Sequence, residues 1–290
     1  MNNRGLNDYL YKILNKIGTN ALKISEKFHY KKSKLIKRDE VRSLYYLPKG
    51  YYLWLNDTGY IDKQIIKKGV FEPASTKIIE RIVKKGDVVI DIGANIGYYT
   101  VLLSKIVGAS GKVIAFEPTQ HFLNVLRKNI AANQIENVEI CALGLSNKSE
   151  KLKIDIGPSS ATLHSPVGFD AIIANEKISL TTLDTFVRQR VQEKIDFIKI
   201  DIDGHEPFFF EGAWETLERY SPIVIFEVSH LHYLKAGIFA WDFYDILRSK
   251  GYKFYNEDNL SEIDTRESFL RQCANFAYSS NVIVSRQKIF

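Results

Sequence analysis

Four acids stand where apolar runs end. Val88-Val89-Ile90 leads to Asp91, Val113-Ile114-Ala115-Phe116 to Glu117, Phe197-Ile198-Lys199-Ile200 to Asp201, and Ile223-Val224-Ile225-Phe226 to Glu227. In an open α/β sheet, ligands bind in the crevice outside the carboxyl ends of the strands, so the four acids converge on such a crevice. Asp91 is followed by Gly93-Ala94-Asn95-Ile96-Gly97, a Gly-x-x-x-Gly turn into an amphipathic segment. Glu117 comes twenty residues after Gly97, where a carboxylate is placed to accept hydrogen bonds from ribose hydroxyls. Past Asp201 the acids crowd, with Asp203, His205 and Glu206 within five residues. Three carboxylates and an imidazole so close raise one another's proton affinity unless a cation or a substrate intervenes.

The turn selects against a dinucleotide. That loop reads G-x-G-x-x-G, and here Asn95 and Tyr98 replace its second and third glycines. Asp91 would also repel a pyrophosphate at close range. A cation suits it better. S-adenosylmethionine carries a sulfonium and an ammonium, has no phosphate, and keeps a ribose for Glu117. Three blocks then resemble the signatures of FkbM-type methyltransferases, a class I S-adenosylmethionine-dependent family. They are Asp91-Ile92-Gly93-Ala94-Asn95-Ile96-Gly97, Phe116-Glu117-Pro118, and Lys199-Ile200-Asp201-Ile202-Asp203-Gly204-His205-Glu206. The resemblance spans about Phe71 to Tyr255. It implies S-adenosylmethionine as cofactor and a hydroxyl as methyl acceptor, on a sugar of a glycan or on a secondary metabolite. It departs at Asp203, where the family often has Glu.

The expected cofactor residues are Asp91, Gly93, Asn95, Gly97, Glu117 and Asp201. The expected catalytic residues are His205, Asp201, Glu206 and Glu227. His205 is placed as general base, with an unperturbed pKa near 6.5 that lets it take a hydroxyl proton. The alternative is a hydrogen-bonded strand-end histidine. Asp201 would position the sulfonium, and Glu227 would bind a substrate hydroxyl. Glu206, before Pro207, reads equally as a first-turn helix acid. Asp201 and Asp203 are the pair that could hold a divalent cation, but their spacing matches no established metal motif and no metal is expected. Two competing classes remain. Asp201-Ile202-Asp203 formally reads as the D-x-D of a metal-dependent glycosyltransferase, which leaves the Asp91–Gly97 loop unexplained. A non-catalytic cofactor-binding module would be indifferent to replacing His205 or Glu206.

Positioning these groups takes an α/β fold, a doubly wound, mainly parallel Rossmann-like sheet of seven strands. Strands are expected at 87–92, 112–117, 137–142, 195–200, 223–228, 251–255 and 277–284, with further candidates at 151–156 and 177–182. Helices are expected at 74–84, 96–107, 121–133, 183–190, 207–220 and 241–250. The last two strands have no clear helix between them and form a C-terminal antiparallel pair. Three regions result: a basic helical extension over 1–42, an aromatic-rich strand or cap region over 43–72 with Asn56-Asp57-Thr58-Gly59 as its turn, and the catalytic domain over 73–290.

Of the 290 residues, 45% are hydrophobic, enough for a full core, and the net charge is +6. That charge lies in residues 1–42, with eleven Lys and Arg against four Asp and Glu. Leu6, Leu10, Ile13, Leu14, Ile17, Ala21 and Ile24 recur there at helical spacing. The segment either packs on its own domain with lysines in water or touches an anionic membrane from the cytoplasmic side. Nucleic acid is not an expected partner: the basic segment has few aromatics, and neither an Asn-Pro-Pro-Tyr loop nor a Pro-Cys nucleophile occurs. No run approaches the ~20 apolar residues of a membrane span. Cys141 and Cys273 lack ligand or disulfide spacing, which fits a cytoplasmic protein, and Cys141 reads as a small buried hydrophobe.

Overall fold

The computed structural model describes residues 31–162, 172–190, 194–273 and 279–289. Most of the expected N-terminal helix therefore lies outside the described residues. In chain order the strands are β1 (Lys34–Arg38), β2 (Ser43–Tyr46), β3 (Tyr52–Leu55), β4 (Val88–Ile92), β5 (Lys112–Phe116), β6 (Val138–Cys141), β7 (Gly144–Leu145), β8 (Glu150–Ile156), β9 (Ala161–Thr162), β10 (Ala174–Thr181), β11 (Phe197–Ile200), β12 (Ile223–Val228), β13 (Lys253–Asn256), β14 (Glu262–Ile263) and β15 (Ser280–Ser285). The helices are α1 (Tyr60–Lys68), α2 (Pro73–Ile82), α3 (Tyr98–Val107), α4 (Gln120–Ala132), α5 (Leu183–Gln189), α6 (Glu206–Glu211), α7 (Trp214–Tyr220), α8 (His230–Lys235), α9 (Ala240–Ser249) and α10 (Arg266–Gln272).

The central sheet runs β14-β13-β15-β12-β11-β4-β5-β6. β6, β5, β4, β11 and β12 pair in parallel, and β15 lies antiparallel between β12 and β13. Parallel strands covered by helices on both faces are mostly apolar, as in β4, β5 and β11, where Asp91 and Lys199 are charged residues set within such runs. The chain builds β5 and β6 on one side of β4, then returns to place β11 on the other. The switch point is the gap between β4 and β11, where open α/β sheets bind ligands.

The seven expected strands form this sheet, and the terminal antiparallel pair is β13 with β15. Two-residue β14 adds an eighth strand at the edge. A helix does stand between the last two long strands. It is α10, with Thr265 as N-cap accepting from Ser268 N and Phe269 fully buried. The candidates at 151–156 and 177–182 leave the central sheet and form a separate one, β7-β10-β8-β9. The single helix expected over 207–220 breaks into α6 and α7. A Cβ on Gly212 would lie 2.1 Å from Ser146 O, and Asp184 Oδ1 caps the second piece from Thr216 N at 2.8 Å.

The N-terminal part departs furthest from expectation. Lys34–Arg38 is a strand, not helix, and joins a three-stranded antiparallel sheet with β2 and β3. Asn56-Asp57-Thr58-Gly59 is not a hairpin turn. Asn56 Oδ1 accepts from Thr58 N and Gly59 N, an Asx turn that delivers the chain into α1. That helix is anchored by buried Asp62, paired with Arg42 at 3.1 Å. The small sheet docks on α4 through Asn129 and Asn133, which accept from Trp54 N and Tyr52 N. No helix among the described residues is long and apolar enough to cross a membrane. Cys141 and Cys273 are both free and buried.

Candidate functional site

Two glycines shape the turn after β4. Gly93 has φ +76°, and a Cβ there would lie 1.9 Å from Asp201 O, so the ends of β4 and β11 touch through its missing side chain. Gly97, φ +88°, starts α3, and a Cβ would meet Leu126 Cδ1 at 2.4 Å. Asn95 between them has φ +53°. Its backbone N–H donates to Glu117 Oε2 at 2.9 Å, and its Nδ2 donates to Ser159 O at 2.8 Å. Glu117 Oε1 accepts from Thr119 N at 2.9 Å and Thr119 Oγ1 at 2.6 Å. Burial pushes the Glu117 carboxyl up, against these hydrogen bonds, which favour the ionised form.

These groups open on a cleft between the carboxyl end of the central sheet and the small sheet β7-β10-β8-β9. Gly93, Asn95, Glu117, Asp201, Asp203 and His205 all line it. Phe116, Phe122, Leu145, Ile178 and Leu180 make its walls apolar. The mix of apolar walls with a few convergent polar groups is that of a small-molecule site. The donor set suits an adenosine ligand: a carboxylate at the end of β5, backbone opened by Gly93, and apolar surface for a planar base.

His205 Nε2 lies 2.9 Å from Ser146 Oγ, and its ring stacks on Phe208 with centroids 4.7 Å apart. Ser146 had no sequence signal; Gly212 brings its loop to the imidazole. Asp203, φ +51°, has its carboxyl pushed up to about 7, by burial first and then by the Asp201 charge. No group of three or more His, Cys, Asp or Glu side chains among the described residues is arranged to hold a metal ion.

Four of the expected residues do not line the cavity: Asp91, Gly97, Glu206 and Glu227. Asp91 is fully buried, and its Oδ2 accepts from Thr100 Oγ1 at 2.5 Å. Glu206 is a first-turn acid of α6, but its side chain folds back out of the helix so that Oε1 accepts from Ile202 N at 3.0 Å. Burial pushes its carboxyl up to about 8. Glu227 accepts from Ser279 Oγ, and burial with the Asp201 and Asp203 charges pushes it well above the carboxylate range.

Strand register explains the grouping. Lys199 pairs with Asp91 and with Ile225, Ile225 with Ile283, and Ile283 with Tyr255. Two residues further along, on the same face, come Asp201, Glu227, Asn281 and Glu257. The helices α2 and α3 cover this face. Ser75 Oγ donates to Glu257, Asn281 Nδ2 donates to Ser75 Oγ at 2.9 Å, and Tyr99 OH donates to Glu72 Oε2 at 2.6 Å. Burial pushes Glu257 up to about 7 and raises Glu72 too, the latter also through the Asp201 charge. Sequence reasoning missed Glu72, Ser75, Tyr99, Lys199, Glu257 and Asn281. Only Lys199 had a signal, as one lysine within Phe197-Ile198-Lys199-Ile200.

Comparison with known proteins decides the class. Residues 91–254 match the methyltransferase FkbM domain. The chain belongs to the FkbM methyltransferase family. It is an S-adenosylmethionine-dependent methyltransferase, and residues 33–145 also match the protein-L-isoaspartate(D-aspartate) O-methyltransferase model. A Saccharolobus solfataricus protein named "Probable cobalt-precorrin-6B C(15)-methyltransferase (decarboxylating)" is 30% identical over 132 residues. The match takes in 41% of this chain and 66% of that relative, just under two thirds of its length. Among solved structures, an FkbM methyltransferase from Methylobacillus flagellatus aligns with TM-score 0.45 and 16% identity, over 74% of this chain and 48% of that one. A precorrin-6y C5,15-methyltransferase from Geobacter metallireducens aligns with TM-score 0.44 and 12% identity, over 80% and 96%.

Proposed function

We propose that this FkbM-family enzyme methylates a hydroxyl, on a sugar of a glycan or on a secondary metabolite. The observation that carries the reading is that His205, a proton acceptor, lines the same cavity as Glu117 and Asn95. When bound there, S-adenosylmethionine supplies a methyl already activated on a sulfonium, so no covalent enzyme intermediate is needed. The residues of the chain bind, orient and exclude water. Glu117 takes the ribose hydroxyls, Gly93 lets the backbone approach, and the walls of Phe116, Phe122, Leu145 and Leu180 keep the cavity dry. Asp201 stands at the sulfonium end. The acceptor proton passes to the His205 imidazole, whose ring is held by Ser146 Oγ and Phe208. Such a base contributes on the order of 10²–10⁴ in rate.

Residues 1–42 are taken as a basic extension and 43–72 as an aromatic layer ahead of a catalytic domain over 73–290. The enzyme is assigned to the cytoplasm. The test is calorimetric titration with S-adenosylmethionine, S-adenosylhomocysteine, NAD and UDP-sugars, with and without manganese. Methyl-labelled S-adenosylmethionine is then offered with glycan, metabolite, amine, RNA and protein acceptors. Binding of the first two ligands alone and label on a hydroxyl are expected. Label on RNA, protein or an amine would overturn the acceptor class, and metal-dependent binding of a UDP-sugar would overturn the site.

A further inference from the structure

The charge on the α2 and α3 face is held by one residue that no role has yet been given. Lys199 sits in the middle of β11, is 4% exposed, and points its Nζ toward the ring of Tyr99, 4.5 Å from the centroid. Nζ donates to Asp201 Oδ2 at 2.9 Å. In register it lies directly beside Asp91. Burial works against its charge, but the Asp201, Asp91 and Glu72 carboxylates outweigh it and raise its proton affinity above the ordinary lysine value. A lysine in a sheet interior is expensive unless paired. An apolar residue at position 199 would suit the neighbouring Phe197, Ile198 and Ile200 better.

We propose that Lys199 is a positioning residue of the methyl-transfer site, its ammonium tying together the ends of β4 and β11 and holding the Asp201 carboxylate at the cavity edge. The inference rests on the reading of Asp201 as the group at the sulfonium end. Asp201 is the member of this face that also lines the cavity, so it is where the buried charge layer meets the cofactor. With the lysine gone, three groups face the vacated spot. Asp91 from β4 has a buried Oδ1 without a hydrogen-bond partner, Asp201 directly follows β11, and Glu72 comes from the loop before α2. From α3, Tyr99 and Thr100 offer only hydroxyls, each already donated to Glu72 and Asp91. From β12, Glu227, held well above the carboxylate range by burial and by the Asp201 charge, offers Asp201 no cation. Repulsion then turns the Asp201 carboxylate away from its place at the cavity edge.

The test is a double-mutant cycle read by calorimetric titration of S-adenosylmethionine into the full chain. Lys199→Met and Asp201→Asn are each expected to weaken binding at least ~10-fold, and the double variant to bind no worse than the weaker single one. Lys199→Arg, which keeps a cation beside Asp91 and Asp201, is expected to recover part of the lost affinity. Losses that multiply in the double variant, or wild-type affinity in Lys199→Met, would overturn the proposal. Lys199→Gln serves if the methionine variant does not fold, and if both unfold Lys199 is a structural ion and the proposal falls. Failure of the wild type to bind S-adenosylmethionine or S-adenosylhomocysteine would instead sink the site reading beneath it.

Discussion

The carboxylates on the two sides of the switch point are satisfied in opposite ways. On the cavity side, Glu117 takes all of its hydrogen bonds from nearby chain, the Asn95 and Thr119 backbones and the Thr119 hydroxyl. On the α2 and α3 side, Asp201, Glu72, Glu227 and Glu257 depend on a lysine and on side-chain hydroxyls and an amide brought from residues 75, 99, 279 and 281. Local backbone donors give a carboxylate a fixed geometry with no further charge. A shared lysine leaves the second layer short of cations, and burial first, then the Asp201 charge, pushes Glu72 and Glu227 up. The cavity side is thus built for a fixed cofactor contact, and the other side for a charge balance.

The largest effect is expected where the two sides touch. Gly93→Val would drive a side chain into Asp201 O and impose a strained φ. It should destabilise the protein by about 3–5 kcal/mol, read by urea unfolding, because backbone cannot give way as a side-chain tip can. Stability within about 0.5 kcal/mol of wild type would mean that the β4 and β11 ends are not in contact.

On the cavity side, Glu117→Ala removes a charge-assisted acceptor and leaves Asn95 and Thr119 donors without their partner. Hydrogen bonds to charged groups are worth ~1.5–3 kcal/mol, so cofactor affinity should fall about 10- to 100-fold in a calorimetric titration. Glu227→Ala, on the other side and outside the cavity lining, should leave that affinity within a few-fold. Equal losses in both variants would erase the distinction between the two sides.

How legible each side was follows from the same contrast. Glu117 and Asn95 could be placed from sequence because a strand end and a glycine turn are local patterns. The central strands were legible for the same reason: buried parallel strands are mostly apolar runs. The second layer was not. Glu72, Ser75, Glu257 and Asn281 meet only through the register of four strands and the packing of α2, and nothing at their own positions marks them. Lys199 is the exception, since period-two alternation puts it on the face of Asp91 and Asp201. The strand-to-helix turn at Asn56 was misread because an Asx turn and a hairpin turn share residue types.

The buried acids of both sides should carry a pH signature. Native Glu206, pushed up to about 8 by burial, keeps its proton to that pH, while the unfolded chain releases it near 4.5. Between those values the native state binds more protons, so stability falls as pH rises from 4.5 to about 8 and levels off above. Asp203 and Glu257, pushed up to about 7, add to the fall in the same direction. Glu206→Gln should flatten the profile and recover about 1–3 kcal/mol at pH 8 in urea unfolding. A slope unchanged in the variant would show that another group titrates.

The smallest effect sharpens the cavity side. The Thr119 hydroxyl both donates to Glu117 Oε1 and accepts from Phe122 N as the cap of α4. Thr119→Ala should therefore cost about 1 kcal/mol of stability through the lost cap and weaken cofactor binding only a few-fold, since Thr119 N and Asn95 N still hold the carboxylate. Thr119→Ser keeps the hydroxyl and should restore both. If the alanine variant loses stability but binds normally, the two backbone donors alone fix Glu117. A loss of binding as deep as that of Glu117→Ala would instead make the hydroxyl the contact that aims the carboxylate.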